Sequence, residues 1–159
     1  MERKITKEIF IAALPKYVFN TLITPSMIKQ WWYVSSAIVI PEINGIYALT
    51  WGEDIDHAEF TTVSRITEFE FSKRLVMVNE IYYSPNGSLP FDAQLEASFS
   101  LVEQEGGTLL TLMQEGIPED KTADEFYQGA LVGWENTLKS LKNVAEDEAA
   151  SMEHMESLQ

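Results

Sequence analysis

Cysteine is absent from the 159 residues, and histidine occurs only twice. Without thiols there is no disulfide, no thiolate nucleophile and no sulfur-ligated metal, a composition that suits a reducing compartment. His57 and His154 stand too far apart in sequence to offer metal-ligand spacing. No Ser-His-Asp set and no phosphate-cradling glycine loop is recognisable. Basic residues are also scarce: 11 Lys and Arg face 25 Asp and Glu, a net charge of −14. A nucleic-acid binder needs a cationic footprint for the phosphates, so that class is excluded, and anionic membrane surfaces are disfavoured. Long apolar runs are missing too. None approaches the roughly 20 residues of a membrane span, and the run over residues 9–14 is too short for the core of a signal peptide. The expectation is a cytoplasmic chain with no metal, no cofactor, no nucleic-acid partner and no membrane association.

No repeat or Pro/Gly-rich linker divides what is present, so one domain is expected over residues 1–146. The acidic segment 147–159, which has no Lys or Arg, is expected to fray and to add little to the fold. "KITKEIFIAAL" reads as a first strand stopped by Pro15. "PKYVFNTLI" and "SMIKQWW" read as two short helices, the second with Thr24 as N-cap and Pro25 as first residue. From Ser35 to Glu115 the pattern becomes β-branched and aromatic, with an Asn44-Gly45 turn and a hairpin at "EQEGG". In "FDAQLEASFSLV", Ala93, Leu95, Ala97, Phe99 and Leu101 share one face; Gln94, Glu96, Ser98 and Ser100 share the other. That alternation predicts an antiparallel sheet with one buried face and one wet face. A capping box at Thr122 and Glu125 opens a long helix. Its apolar stripe runs through Tyr127, Leu131, Trp134, Leu138, Leu141 and Ala145 and needs one broad surface to lie on.

The segments "KYVFNTLITPSMIKQWW", "NGIYAL", "ITEFEFSKRLV", "LEASFSLVEQEGGTLLTL" and "GWENTLKSL" stand in the order of a known family. The chain resembles the START-like (SRPBCC, Bet v 1-like) superfamily. Within it, the chain is similar to the C-terminal domain of the activator of heat-shock protein 90 ATPase. The resemblance implies an α+β helix-grip fold. A bent antiparallel sheet wraps a long C-terminal helix, two short helices follow the first strand, and a cavity lies between helix and sheet. Three positions depart from the family pattern. Asn44 replaces the first of two glycines, Ser64 replaces another glycine, and Gln114 stands where a histidine is common. The last change lowers the expectation of proton-transfer chemistry.

Ten residues are candidates for the cavity: Trp31, Trp32, Tyr47, Trp51, Phe60, Phe99, Gln114, Phe126, Gly133 and Trp134. The same aromatics would equally serve an ordinary core. Adjacent Trp31 and Trp32 cannot both point into one hole from a single helical turn, so one is expected beneath the C-terminal helix and one at the cavity mouth. Gly129 and Gly133 each cost a helix roughly 1 kcal/mol relative to alanine, which either a close strand or room for a ligand would justify. Among polar residues, His57 beside Asp54 and Asp56 reads as a solvated loop histidine and His154 falls in the tail. Arg65, Glu80, Gln114 and Glu115 lie in strands, where an inward carboxylate would be a possible base. The leading expectation is a non-catalytic module holding a small hydrophobic or amphipathic ligand. The alternative is a co-chaperone-like interaction domain with a chaperone partner; a cyclase- or hydrolase-type enzyme comes third. The sequence leaves the oligomeric state open.

Overall fold

Period-two segments in this chain become strands and the stripe of period 3.6 becomes a helix, as the two spacings dictate. The computed structural model describes residues 2–54, 56–85 and 87–158. Strand β1 (Glu2–Ile11) is followed by helices α1 (Pro15–Ile23) and α2 (Pro25–Trp31). Six strands follow: β2 (Ser36–Val39), β3 (Ile46–Gly52), β4 (Ala58–Glu70), β5 (Arg74–Tyr83), β6 (Glu96–Gln104) and β7 (Gly107–Pro118). A 3-10 turn, Lys121–Ala123, leads into helix α3 (Asp124–Ser157). The strands form one sheet in the order β1-β7-β6-β5-β4-β3-β2, every neighbouring pair antiparallel. This is the helix-grip architecture. No helix among the described residues is long and apolar enough to cross a membrane.

Register slips in the β3–β4 and β4–β5 ladders, after Trp51, Val63 and Ile66, mark where this half of the sheet bends. The loop from Ile40 to Gly45 ties back onto β4, with Asn44 N–H donating to Ile66 O and Ile66 N–H donating to Gly45 O. A Cβ on Gly45 would sit 2.0 Å from Ile40 O, so only glycine fits. Asn44 adopts φ 70°, a left-handed conformation that asparagine tolerates, so its replacement of a family glycine preserves the turn.

The concave face meets α3. Leu138, Leu141, Ala145 and Ala149 are each no more than 3% exposed, and they close one continuous core with Phe19, Leu22, Leu110 and Leu112. The alternation on β6 holds for Leu95, Phe99 and Leu101, which are buried, but Ala93 is exposed because the strand starts only at Glu96. Ser98, expected on the wet face, is buried between its ladder neighbours Val76 and Met113.

Neither expected side-chain cap forms. Thr24 occupies the N-cap position of α2, but its hydroxyl donates back to Asn20 O. The capping box at Thr122 and Glu125 is replaced by Asp120, whose carboxylate accepts from Thr122 N–H and caps the 3-10 turn instead. The short turn displaces the start of α3 by one residue, so that Ala123 rather than Thr122 stands at the N-cap. The tail differs most: α3 runs to Ser157 without a break. Ala149 is buried, and Tyr17 Oη on α1 donates to Glu156 at 3.1 Å. Every fourth residue from Leu141 to Ala149 remains on the apolar stripe, so the charged residues between them do not stop the helix.

Glu146 fastens α3 to the end of β1. Its carboxylate accepts from Ala12 N–H at 2.7 Å and from Lys142 Nζ at 2.6 Å, while Lys142 also donates to Phe10 O. Burial alone would push its pKa up, but the ammonium and the amide outweigh burial and hold it below the ordinary value. A carboxyl held low in the folded state contributes stability above its unfolded pKa, about 4.3, and loses it as pH falls through the folded value. Glu146→Gln is therefore expected to flatten the acid limb of the stability curve below about pH 4.3. Denaturant titrations at stepped pH check this, and parallel curves for the two proteins would contradict it. Deleting residues 147–159 removes the Ala149 contact and is expected to cost on the order of 1 kcal/mol. An unchanged melting temperature would show that the last turns contribute nothing.

Candidate functional site

The site begins where α2 ends. The Trp31 ring is fully buried, and its Nε1–H donates to Thr21 O at 2.9 Å. Trp32, one residue on, is half-buried and lies almost flat on Trp31, with centroids 4.9 Å apart and an interplanar angle of 18°. The neighbours thus have different environments, as helical geometry requires. The pocket-side ring, Trp32, also meets α3, through Trp134 at 5.3 Å. Trp31 is the slab behind it.

Three hydrogen bonds fix the surrounding rings. Trp51 on β3 donates its Nε1–H to Trp32 O at 3.0 Å, which binds the sheet to the end of α2. Trp134 on α3 donates to Gln114 Oε1 on β7 at 2.8 Å, bridging helix and sheet. Tyr47 Oη donates to Leu22 O at 2.6 Å. Trp51 also stacks on Phe60 at 4.5 Å, and Phe60 stacks on Tyr82 at 5.8 Å, giving a column of three rings along one wall. The Nε1–H of Trp32 has no protein partner among the described residues.

Between these walls lies a cavity of about 160 Å³. Strand alternation sends Tyr47, Leu49 and Trp51 of β3 and Phe60, Thr62 and Ser64 of β4 into it. Met77, Asn79 and Tyr82 of β5, Leu95 just before β6, Glu96 and Ala97 of β6, and Gln114 of β7 complete the sheet side. Phe126 and Trp134 form the helix side. A wider recess of about 540 Å³ shares Trp32, Trp51, Phe60, Gln114, Phe126 and Trp134 with the cavity and opens past Gly129, Ala130, Gly133 and Tyr33. A Cβ at Gly129 or Gly133 would meet nothing within 4 Å, so neither glycine is there for close approach of a strand. They leave room.

Eight of the ten candidate residues therefore border the connected space, Gly133 at the recess and the rest at both parts or the inner one. Trp31 and Phe99 do not: each backs a wall, Trp31 behind Trp32 and Phe99 edge-on to Trp134 at 6.0 Å. Thr62, Ser64 and Asn79 are the polar lining residues that sequence reading missed. Two of them follow from Phe60 by period two along β4, a signal that was available. Asn79 could not be placed so, because the slip after Val63 resets the register of β5.

Polar chemistry stays outside. The His57 side chain is 68% exposed and pairs with Asp54 through Nδ1 at 2.8 Å. Arg65 pairs with Glu80 at the surface, and Glu115 borders a separate small recess with Glu2 and Glu96. His154 is exposed on the last turns of α3. Burial pushes the phenols of Tyr47 and Tyr82 above their ordinary values, so both remain neutral hydrogen-bonding groups. No group of three or more His, Cys, Asp or Glu that could hold a metal occurs among the described residues.

Solved structures share this arrangement. A protein from Mesorhizobium loti aligns with a TM-score of 0.74 at 19% identity, over 91% of this chain and 98% of that one. An Aha1 dimer from Colwellia psychrerythraea aligns with a TM-score of 0.69 at 19% identity, over 91% and 96%. CalU16 from Micromonospora echinospora aligns with a TM-score of 0.63 at 18% identity, over 94% and 85%. At such identities the likeness shows the fold alone. No curated protein matches the chain in sequence. The model of one family, described as Activator of Hsp90 ATPase homolog 1-like protein, matches residues 12–146. That match takes in both short helices, strands β2 to β7 and α3 as far as Glu146, and the chain belongs to the Activator of Hsp90 ATPase homolog 1-like family.

Proposed function

We propose that this chain is a non-catalytic binding module for a small hydrophobic or amphipathic molecule held between the sheet and α3. The observation that carries this reading is the unfilled space beneath Gly129 and Gly133. Two glycines in the middle of a helix cost roughly 1 kcal/mol each, and no steric neighbour accounts for them here. The inner cavity matches in size an engineered apolar cavity of about 150 Å³ that takes up benzene, so it suits one ring or a short branched chain. The open recess then accommodates the remainder of a larger molecule. Apolar walls with a few orienting polar groups (here Thr62, Ser64, Asn79 and Gln114) are what small-molecule sites require. A cysteine-free acidic chain of this kind is at home in the cytoplasm.

Two substitutions at one position test the reading. Gly133→Ala is expected to add up to about 1 kcal/mol of stability, since the methyl meets nothing and helix propensity rises. Gly133→Leu is expected to keep the fold but fill the recess. Binding of the neutral probe N-phenyl-1-naphthylamine, followed by its fluorescence, should then weaken about tenfold. Equal binding by the leucine variant and the natural protein would contradict the proposal.

A second reading, a chaperone partner, draws on the family and on Ile38, Ile40, Ile43 and Ile46. These four isoleucines are exposed on edge strand β2, on β3 and on the loop between them. Stimulation of the ATPase of heat-shock protein 90 by this chain, lost on Ile38→Lys, would favour it over the cavity reading.

A further inference from the structure

The walls of the cavity are selective in charge as well as polarity. Seven rings border the inner space, among them Trp32, Trp51, Phe60, Tyr82 and Trp134 from five different parts of the fold. Their planes are not parallel: Trp32, with one face stacked on Trp31, meets Trp51 at 81° and Trp134 at 49°. An aromatic face carries negative quadrupole density and attracts a cation, most strongly when water is excluded. Lysine, arginine and histidine are all missing from the described residues lining the cavity or the recess. The remaining polar side chains that strand alternation turns inward, Thr62, Ser64, Asn79 and Gln114, are neutral.

An anionic ligand would therefore find no counter-charge at either end. At the mouth stands Glu125, exposed in the first turn of α3, which with Asp124 offsets the positive end of the helix dipole. Glu96 also borders the inner cavity, but its place in the β6 ladder puts its side chain with Val78 and Glu115 toward the convex recess. The net charge of −14 adds a long-range field of the same sign. Elsewhere guanidinium and ammonium groups are taken up by acidic partners: Arg3 by Asp124 in the first turn of α3, Arg65 by Glu80, Arg74 by Glu68 and Lys142 by Glu146.

Resting on the reading of the cavity as a binding site, we propose that its occupant is cationic, an organic ammonium with an apolar body. The ammonium sits among the indole faces rather than against a carboxylate. Fatty acids and other anionic amphiphiles are rejected for want of a basic partner.

Three ligands with a common eight-carbon chain separate this proposal from the one beneath it. Octyltrimethylammonium, octan-1-ol and octanoate are titrated by calorimetry and by tryptophan fluorescence. The buffer contains roughly 0.5 M salt, at which the long-range field is screened to a few ångströms. The ammonium is expected to bind about tenfold more tightly than the alcohol, and octanoate most weakly. Trp32→Leu, at a half-buried position of the wall, is expected to bring the ratio of ammonium to alcohol affinity close to one, the ammonium losing far more than the alcohol. Should that variant fail to fold, Phe60→Leu serves the same end. If octanol binds as well as the ammonium, or the advantage survives both substitutions, the cationic proposal falls and the cavity reading stands. If none of the three binds, both fall.

Discussion

The fold depends on how α3 rests in the concave sheet, and its contact is not uniform along the helix. Thirty-four residues make a rod of about 50 Å, longer than one sheet face needs. From Leu138 onward the stripe is dry: Leu138, Leu141, Ala145 and Ala149 each touch core on every side. Before Trp134 the same stripe passes through Phe126, Tyr127, Ala130 and Leu131, which are only partly buried, and is interrupted by two glycines. The C-terminal half holds the protein together, and the N-terminal half leaves space. Trp134 sits at the boundary. It packs against Phe99 on one side and, through Gln114, fixes the separation of helix and sheet where the cavity begins.

A cavity lined by large rings is costly unless the rings are held in place, because atoms facing a void lose dispersion contacts. Here the support comes from polar ends of aromatic residues. Trp31, Trp51 and Trp134 each spend an indole N–H on a carbonyl or amide oxygen, and Tyr47 spends its hydroxyl on Leu22. All four bonds link different elements of the fold. The apolar parts of the rings are thereby presented to the cavity without collapsing into it. Gln114 illustrates the change from family pattern to present use. A histidine there would offer a titratable group; an amide supplies a fixed acceptor to Trp134 and no proton chemistry.

Much of this was legible in the sequence, and the reasons differ from residue to residue. The α3 stripe and the alternation of Leu95, Phe99 and Leu101 were readable because burial on one side leaves a period. The fold followed from the ordered segments of the family resemblance. Eight of the ten candidates border the space beneath α3, since large aromatics in a one-sided sheet have few other destinations. Trp31 and Phe99 lie behind it, and the sequence does not separate them because a wall and the layer behind it have the same composition. The capping box failed for a local reason: a three-residue 3-10 turn shifts the start of α3, and no propensity distinguishes Asp120 from Thr122 as its opening residue. The continuation of α3 through the tail was hard to read because acidic residues surround Ala149, which carries the stripe on from Ala145 and is small enough to look like filler.

The central claim is that one face of the tryptophan cluster borders a space that a ligand can enter while Trp31 does not. The four indole N–H signals of isotopically labelled protein report on it directly by nuclear magnetic resonance during titration with N-phenyl-1-naphthylamine. The account requires the signals of Trp32, Trp51 and Trp134 to shift together and saturate at one equivalent, with the Trp31 signal, locked on Thr21, left in place. Equal movement of all four signals, or none at all, would contradict it.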